Sequence, residues 1–174
     1  MCIRDSLDIV GSAEQVLRHN PDVVYVIVGD GPSKAVMEEC CRQRGILGNF
    51  RFVGWVEYTS MPAYLNLADI VVMPSEAEAL ALVYLEAQAR GRLLLASDIP
   101  AARELVQDGQ TGLLFRMGDV DDLAAQTLRA AGDADPRAAI GRRAREWVRT
   151  HHDLERTVAA YERTLRDVVS RPRP

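Results

Sequence analysis

Long apolar runs are missing from this sequence. No stretch approaches the roughly 18 residues of a spanning helix, and the longest strong run, Val23 to Val28, is strand-sized. The chain is therefore not expected to cross a membrane, while peripheral association with one is left open. Cysteine is scarce too. Cys2, Cys40 and Cys41 are odd in number and two are adjacent, which supplies neither a disulfide framework nor the C-x-x-C spacing of a zinc site. Cys40 and Cys41 read as reduced helix residues, and no metal is expected. The opening residues Met1 to Ser6 lack an apolar core followed by a small-residue cleavage site, so no secretory signal is read and a cytoplasmic location is expected. Glycine and proline, 12 and 8 residues, are too few for a disordered or collagen-like chain. An excess of positive charge is also lacking: 21 Lys and Arg against 25 Asp and Glu leave a net charge of -4, which argues against non-specific nucleic-acid binding.

What is present is an ordinary globular composition, 48% hydrophobic over 174 residues. A chain of this length buries about 70% of its unfolded surface, enough for a core without staples. Leu7, Ile9, Val10, Ala13, Val16 and Leu17 recur at helical spacing until Asn20-Pro21-Asp22 breaks the pattern. Val23 to Val28 is then a β-branched run closing on Gly29-Asp30-Gly31-Pro32, the reading of a strand buried on both faces of a parallel sheet. The alternation repeats: helix from Ser33 to Arg44, strand at Phe50 to Gly54, helix from Ser60 to Leu67, strand at Asp69 to Met73. A helix from Leu82 to Arg90 and a strand at Leu93 to Ala96 follow, then a short helix from Ala101 and a last strand at Gly112 to Phe115. Five strands separated by helical crossovers predict a doubly wound, Rossmann-like α/β sheet. Three more helices, Asp121 to Ala131, Pro136 to Thr150 and Leu154 to Ser170, close the chain through cap-rich turns. Residues 7–174 are read as one unit, and residues 1–6 are set aside as a non-native junction. A strand is expected before the first helix of such a fold.

Two places can carry chemistry. Gly29-Asp30-Gly31-Pro32 sits where an open α/β sheet places ligands, yet Lys34 occupies the third glycine position of the dinucleotide fingerprint, so a bare tight turn and a ligand contact both remain. The second is the strand-to-helix stretch from Pro74 to Ala87. Glu78 lies in the loop, and Glu86 lies about two turns further along the segment, able to face the same crevice. The free N–H groups near Leu82 and Val83 form a site for an anion such as phosphate. Spacing alone also fits, and fits better, two solvated glutamates that complement the helix N-terminus.

Elsewhere the readings are structural. His19 meets a helix end, and His151-His152-Asp153 forms a connector without a third metal ligand. Trp55 either packs under a base or covers the sheet edge; Trp147 and Tyr161 read as inter-helix packing. The arginines from Arg137 to Arg173 alternate with Glu146, Glu155, Glu162 and Asp167, a solvated face rather than a nucleic-acid stripe.

Taken together, Gly29-x-Gly31-Pro32, Phe52-x-Gly54, Ala68-Asp69, Pro74-Ser75, Glu78-x7-Glu86-Ala87, Gly91, Ala96-Ser97, Glu104-Leu105-Val106-x-Asp108-Gly109-x-Thr111-Gly112 and Gly118-Asp119 resemble the carboxyl-terminal half of retaining, group 1 GT-B glycosyltransferases. The resemblance runs from about Leu7 to Tyr161. It implies a donor-binding domain that takes a nucleotide-diphosphate sugar, without metal or other cofactor, and works with an amino-terminal acceptor domain this chain does not contain. By position, Glu86 would hold the ribose hydroxyls, the Leu82 and Val83 amides the diphosphate, and Glu78, the expected catalytic residue, the hydroxyls of the transferred sugar. Val53 to Val56 would line the base, with Gly29, Gly31, Ala79, Leu80 and Ala81 beside the donor. The chain departs from the family where Glu-Gly-Phe-Gly becomes Glu78-Ala79-Leu80-Ala81: alanine does not readily take φ above zero, and its methyl obstructs close backbone approach. The family's basic pair before the first helix has no counterpart except Arg4. The alternative expectation is accordingly a nucleotide-sugar-binding or interaction module that has lost turnover, and this chain alone is expected to be inactive. In the family the last helix often crosses onto the other domain, which implies an apolar surface without its partner here.

Overall fold

The computed structural model describes residues 3–170; Met1 and Cys2, and with them Arg171 and Arg173 of the basic tail, lie outside the described residues. Helix α1 runs Ile3–His19, four residues earlier than the apolar spacing marks it. Asp5 and Ser6, set aside on sequence grounds, are buried in its first turn, so this stretch packs as part of the fold. Val10, Ala13 and Val16 make its buried stripe.

The elements that follow are β1 (Tyr25–Val28), α2 (Ser33–Gln43), β2 (Phe50–Gly54), α3 (Met61–Leu67), β3 (Ile70–Met73), α4 (Leu82–Ala89), β4 (Leu93–Ser97), α5 (Pro100–Leu105), β5 (Leu113–Phe115), α6 (Val120–Gly132), α7 (Ala134–His151) and α8 (Leu154–Ser170). Every strand pair is parallel, but the pairing divides: β1 bonds β2, and β3, β4 and β5 bond in that order. This corrects one expectation. The β1 run is not covered on both sides; Val24 and Val26 stand 53% and 40% exposed, because β1 is hydrogen-bonded on one edge only.

β4 is the strand that does have neighbours on every side. All five residues are buried. Alternation sends Leu94 and Ala96 into the cluster formed with α4 and α5, and Leu93 and Leu95 into the one formed with β5, α6 and α7. A third cluster joins α1, α2 and Phe50 of β2. Tyr25 and Phe50 stack there with centroids 4.8 Å apart.

The closing helices start on aspartate caps, two of them in the turns read as cap-rich. Asp119 Oδ1 accepts from the Asp122 N–H at 2.9 Å, Asp133 Oδ1 from Asp135 at 3.0 Å and Asp153 Oδ1 from Arg156 at 3.1 Å, each such cap contributing about 1 kcal/mol. Helix α8 carries the unpartnered apolar surface expected of the last helix, and departs from expectation only at Tyr161. None of its residues is buried, and Leu154, Val158, Tyr161, Leu165 and Val168 form an exposed stripe at helical spacing. Tyr161, expected in inter-helix packing, is 69% exposed because α8 has no helix against its apolar face. Trp147 is half-buried and stacks on His151, four residues on in the same helix, with centroids 4.8 Å apart, a contact within α7 rather than between helices.

Helix α7 touches the α4–β4 turn backbone to backbone at Gly141 and Gly91. A Cβ on Gly141 would penetrate the Gly91 carbonyl oxygen, with no flexible side chain able to give way. Alanine at a helix interior otherwise gains about 1 kcal/mol over glycine, whereas overpacking against fixed backbone costs about 3 kcal/mol or more. Gly141→Ala is therefore expected to lower unfolding free energy by about 2 kcal/mol or more in urea titrations. Gly132→Ala, whose added Cβ meets nothing within 4 Å, is expected to stay within about 0.5 kcal/mol of the parent.

Candidate functional site

The carboxyl ends of the strands carry two clusters. In the first, Gly29 donates its N–H to the Gly54 carbonyl at 2.8 Å, tying the loop after β1 to the end of β2. Gly29 has φ 124° and Gly54 φ 81°, a region that side chains disfavour, so glycine is required at both. Asp30 Oδ1 accepts from the Gly31 N–H at 2.9 Å. Open space lies above both Gly29 and Gly31, where a Cβ would meet nothing within 4 Å. Lys34, on the first turn of α2, brings its Nζ to 4.0 Å from the Cβ position of Gly54. Val53 is exposed, Val56 half-buried, and Trp55 is 68% exposed rather than packed on the sheet.

The second cluster follows β3. Pro74 and Ser75 are buried and turn the chain outward, and the Ser75 Oγ–H donates to Glu78 Oε1 at 2.9 Å. Ala79 and Leu80 are exposed, and Ala81 is buried as the residue before α4. The strain expected of alanines here does not arise. No non-glycine residue among those described has positive φ, and Ala81 sits at φ −84°, ψ 88°. The loop takes a path that tolerates a Cβ. No side chain caps α4, so the Leu82 and Val83 amides are left without an intrahelical acceptor.

Glu86 lies one turn into α4, and its Oε1 accepts from the Tyr58 hydroxyl at 2.9 Å. Tyr58 stands on the single 3₁₀ turn after β2. The bond therefore ties the β2 loop, with Val53 and Val56, to the helix that carries the second glutamate. Burial, with the Glu78 carboxylate as second cause, pushes the Tyr84 phenol up to about 12. A groove of about 840 Å³ runs between β1 and β3 and is lined by Val83 but by neither Glu78 nor Glu86. Among the described residues no group of His, Cys, Asp or Glu is placed to hold a metal ion, and no helix is long and apolar enough to cross a membrane.

Sequence reasoning missed Ser75, Tyr58 and Lys34 as partners in this site. For Ser75 a signal exists, the Ser-x-x-Glu spacing, which keeps a hydroxyl and a carboxylate within reach across a short loop. For Tyr58, 28 residues from its acceptor, and for Lys34, read only as a spoiled fingerprint, spacing carries none.

Comparison with known proteins decides the family. The model for glycosyl transferases group 1 matches residues 8–147, most of the chain. The chain belongs to that family. Among curated relatives of this group 1 domain, a 2-deoxystreptamine glucosyltransferase of Streptomyces kanamyceticus is 32% identical over 148 residues, covering 83% of the chain and 38% of the relative. Among solved structures, the C-terminal domain of the group 1 protein LpcC from Francisella tularensis superposes with a TM-score of 0.75 at 22% identity, covering 84% of this chain and 78% of that one. HepE from Anabaena, in complex with UDP and glucose, gives a TM-score of 0.82 at 22% identity, covering 91% and 44%. The α/β architecture is thus that of GT-B glycosyltransferases. The domain spans 32% to 38% of the length of the first curated relatives it matches.

The bond between Tyr58 and Glu86 raises the pKa of the phenol above its ordinary value, first through the hydrogen bond and then through the charge on Glu86. Tyrosinate formation at Tyr58 is expected at higher pH in the parent than in Glu86→Ala, measured as the difference between their ultraviolet alkaline titrations.

Proposed function

We propose that this group 1 domain is the donor-binding part of a retaining glycosyltransferase. It would act in the cytoplasm on a nucleotide-diphosphate sugar, jointly with an amino-terminal acceptor domain. The observation that carries the reading is the uncapped start of α4, set between the Glu78 loop and Glu86 at the carboxyl end of β3. The first-turn amides donate toward an anion, and the helix dipole favours negative charge at the same end. Glu86 then accepts from ribose hydroxyls, in place of or alongside the Tyr58 phenol. Glu78, held by Ser75, accepts from hydroxyls of the sugar to be transferred. Val53 to Val56 line the base, and Gly29 and Gly31 leave room for backbone approach.

Departure of the nucleoside diphosphate leaves growing negative charge on its terminal oxygen. Amides fixed in advance stabilise that charge without reorganising, and Lys34, on the first turn of α2, supplies a cation. This chemistry needs no metal or cofactor. HepE, seen with UDP and glucose, supports the ligand class. By itself the domain has no acceptor partner and is inactive on this reading. Ala79 and Ala81, in place of glycines, favour a second reading: a nucleotide-sugar-binding module that has lost turnover.

Calorimetric titration with UDP, UDP-glucose, GDP-mannose and ADP-glucose tests the proposal. At least one should bind, and Glu86→Ala should weaken it about tenfold or more, the scale of a hydrogen bond to a charged group. Glu78→Gln should weaken the nucleotide sugar more than the bare nucleotide. Absence of binding to all four in folded protein sinks the donor reading. With Ala79→Gly/Ala81→Gly, tightened binding would mark the site as one whose close backbone approach has been given up.

A further inference from the structure

Tyr84 carries a polar group where the core offers it nothing. It stands on the first turn of α4 and is 0% exposed, and its phenol oxygen is sealed from solvent without a hydrogen bond to any described residue. Buried polar groups are almost always paired, and a donor left alone in the interior is destabilising. Phenylalanine would fill the same space without that cost. The hydroxyl is therefore a liability unless an acceptor comes within its reach.

The packing shows where that acceptor lies. The Tyr84 ring belongs to the cluster of Leu94, Ala96 and Ile99, and Val71 and Met73 of β3 pack against the same cluster. Side chains return to one face of a strand every second residue, so the chain leaving β3 through Pro74 brings Ser75 to the side that α4 covers. Ser75 is itself only 3% exposed. A hydroxyl has one proton to donate and two lone pairs to accept with. The Ser75 proton is committed to Glu78 Oε1 at 2.9 Å, which leaves the Oγ lone pairs for a second donor. Burial, then the Glu78 charge, raises the pKa of the phenol, and the Ser75 hydroxyl opposes the rise, so both groups of the pair act on it. A phenol raised to about 12 keeps its proton throughout the neutral range.

We propose that Tyr84 is a positioning residue for Glu78, its phenol donating to Ser75 Oγ while Ser75 donates to Glu78 Oε1. A small inward movement of the loop after β3 closes this chain. Hydrogen bonds in series polarise one another, so the bond to the carboxylate is strengthened by the one behind it. Glu78 is then held through a side chain that the core immobilises, in a loop whose outer residues Ala79 and Leu80 are exposed. The use of the chain rests on the reading of Glu78 as acceptor for the transferred sugar; the bonding itself does not.

Two measurements on the full chain separate the bond from its use. Tyr84→Phe keeps the ring and removes the hydroxyl alone. Its unfolding equilibrium constant in urea should rise about fivefold, the scale of one neutral hydrogen bond. In a Ser75→Ala background the same change should cost less than about twofold, because the two residues act as one unit. A gain in stability, the result for a hydroxyl with no partner, overturns the proposal, as does an equal loss in both backgrounds, which would give the phenol another acceptor. Calorimetric titration follows with UDP, GDP and ADP and with the three nucleotide sugars named above. Tyr84→Phe should weaken the sugar nucleotide that binds by about threefold or more and leave its bare nucleotide within about twofold, since Glu78 meets only the sugar on this reading. Equal weakening of both, or no change in either, overturns the positioning role. If the parent binds none of the six, the donor reading fails and the role of Tyr84 in it fails too, while the stability cycle still decides the bond to Ser75. Should Tyr84→Phe not fold, Tyr84→Leu takes its place, read for the same coupling to Ser75→Ala and the same split between sugar and nucleotide.

Discussion

The structure depends on one strand being sealed on all sides. β4 has β3 and β5 along its edges, α4 and α5 on one face, and α6 and α7 on the other. Its three leucines are each at most 1% exposed. Burying a leucine contributes about 2 kcal/mol, and the net stability of a domain is about 5–15 kcal/mol, so this strand alone is comparable with the whole margin. The approach of α7 to the turn before β4 is set by two glycines whose backbones touch. That contact lets the long helix lie close enough for Ile140 and Ala144 to reach the core.

Away from β4 the packing loosens in a graded way. β3 is half-buried, β1 more open, and α8 has no buried residue at all. The gradient is not random. The packing is loosest at two places, the free edges of β1 and β3 and the apolar face of the last helix. Val24, Val26 and Leu165 are apolar side chains left exposed at these two places.

Most elements were legible because their signals are local. The limits of α8 and β2 coincide with the spacing of Leu154 to Ser170 and Phe50 to Gly54, and the Asp133 and Asp153 caps stand where the Gly-Asp and His-His-Asp turns place them. What sequence could not tell was partnership. Val23 to Val28 reads the same whether its second edge is paired or bare, since alternation and β-branching report burial in the intended fold, not its completion. The start of α1 was set too late because Asp5 and Ser6 are polar and interrupt the apolar period, yet both are buried. In the site, the α4 start and the two glutamates were visible as a pattern, whereas the Tyr58–Glu86 bond joins residues 28 apart and leaves no trace in spacing. The alanines beside Glu78 misled for a related reason: glycine in a family pattern implies left-handed backbone, but this loop never takes it.

Lys34 has a practical side. It is the only lysine in 174 residues, every other basic chain being arginine or histidine, and its amine stands next to the glycine clasp that joins β1 and β2. Amine-directed reagents therefore have a single side-chain target, so a fluorophore attached there would report on the mouth of the crevice without competing attachment elsewhere on the side chains.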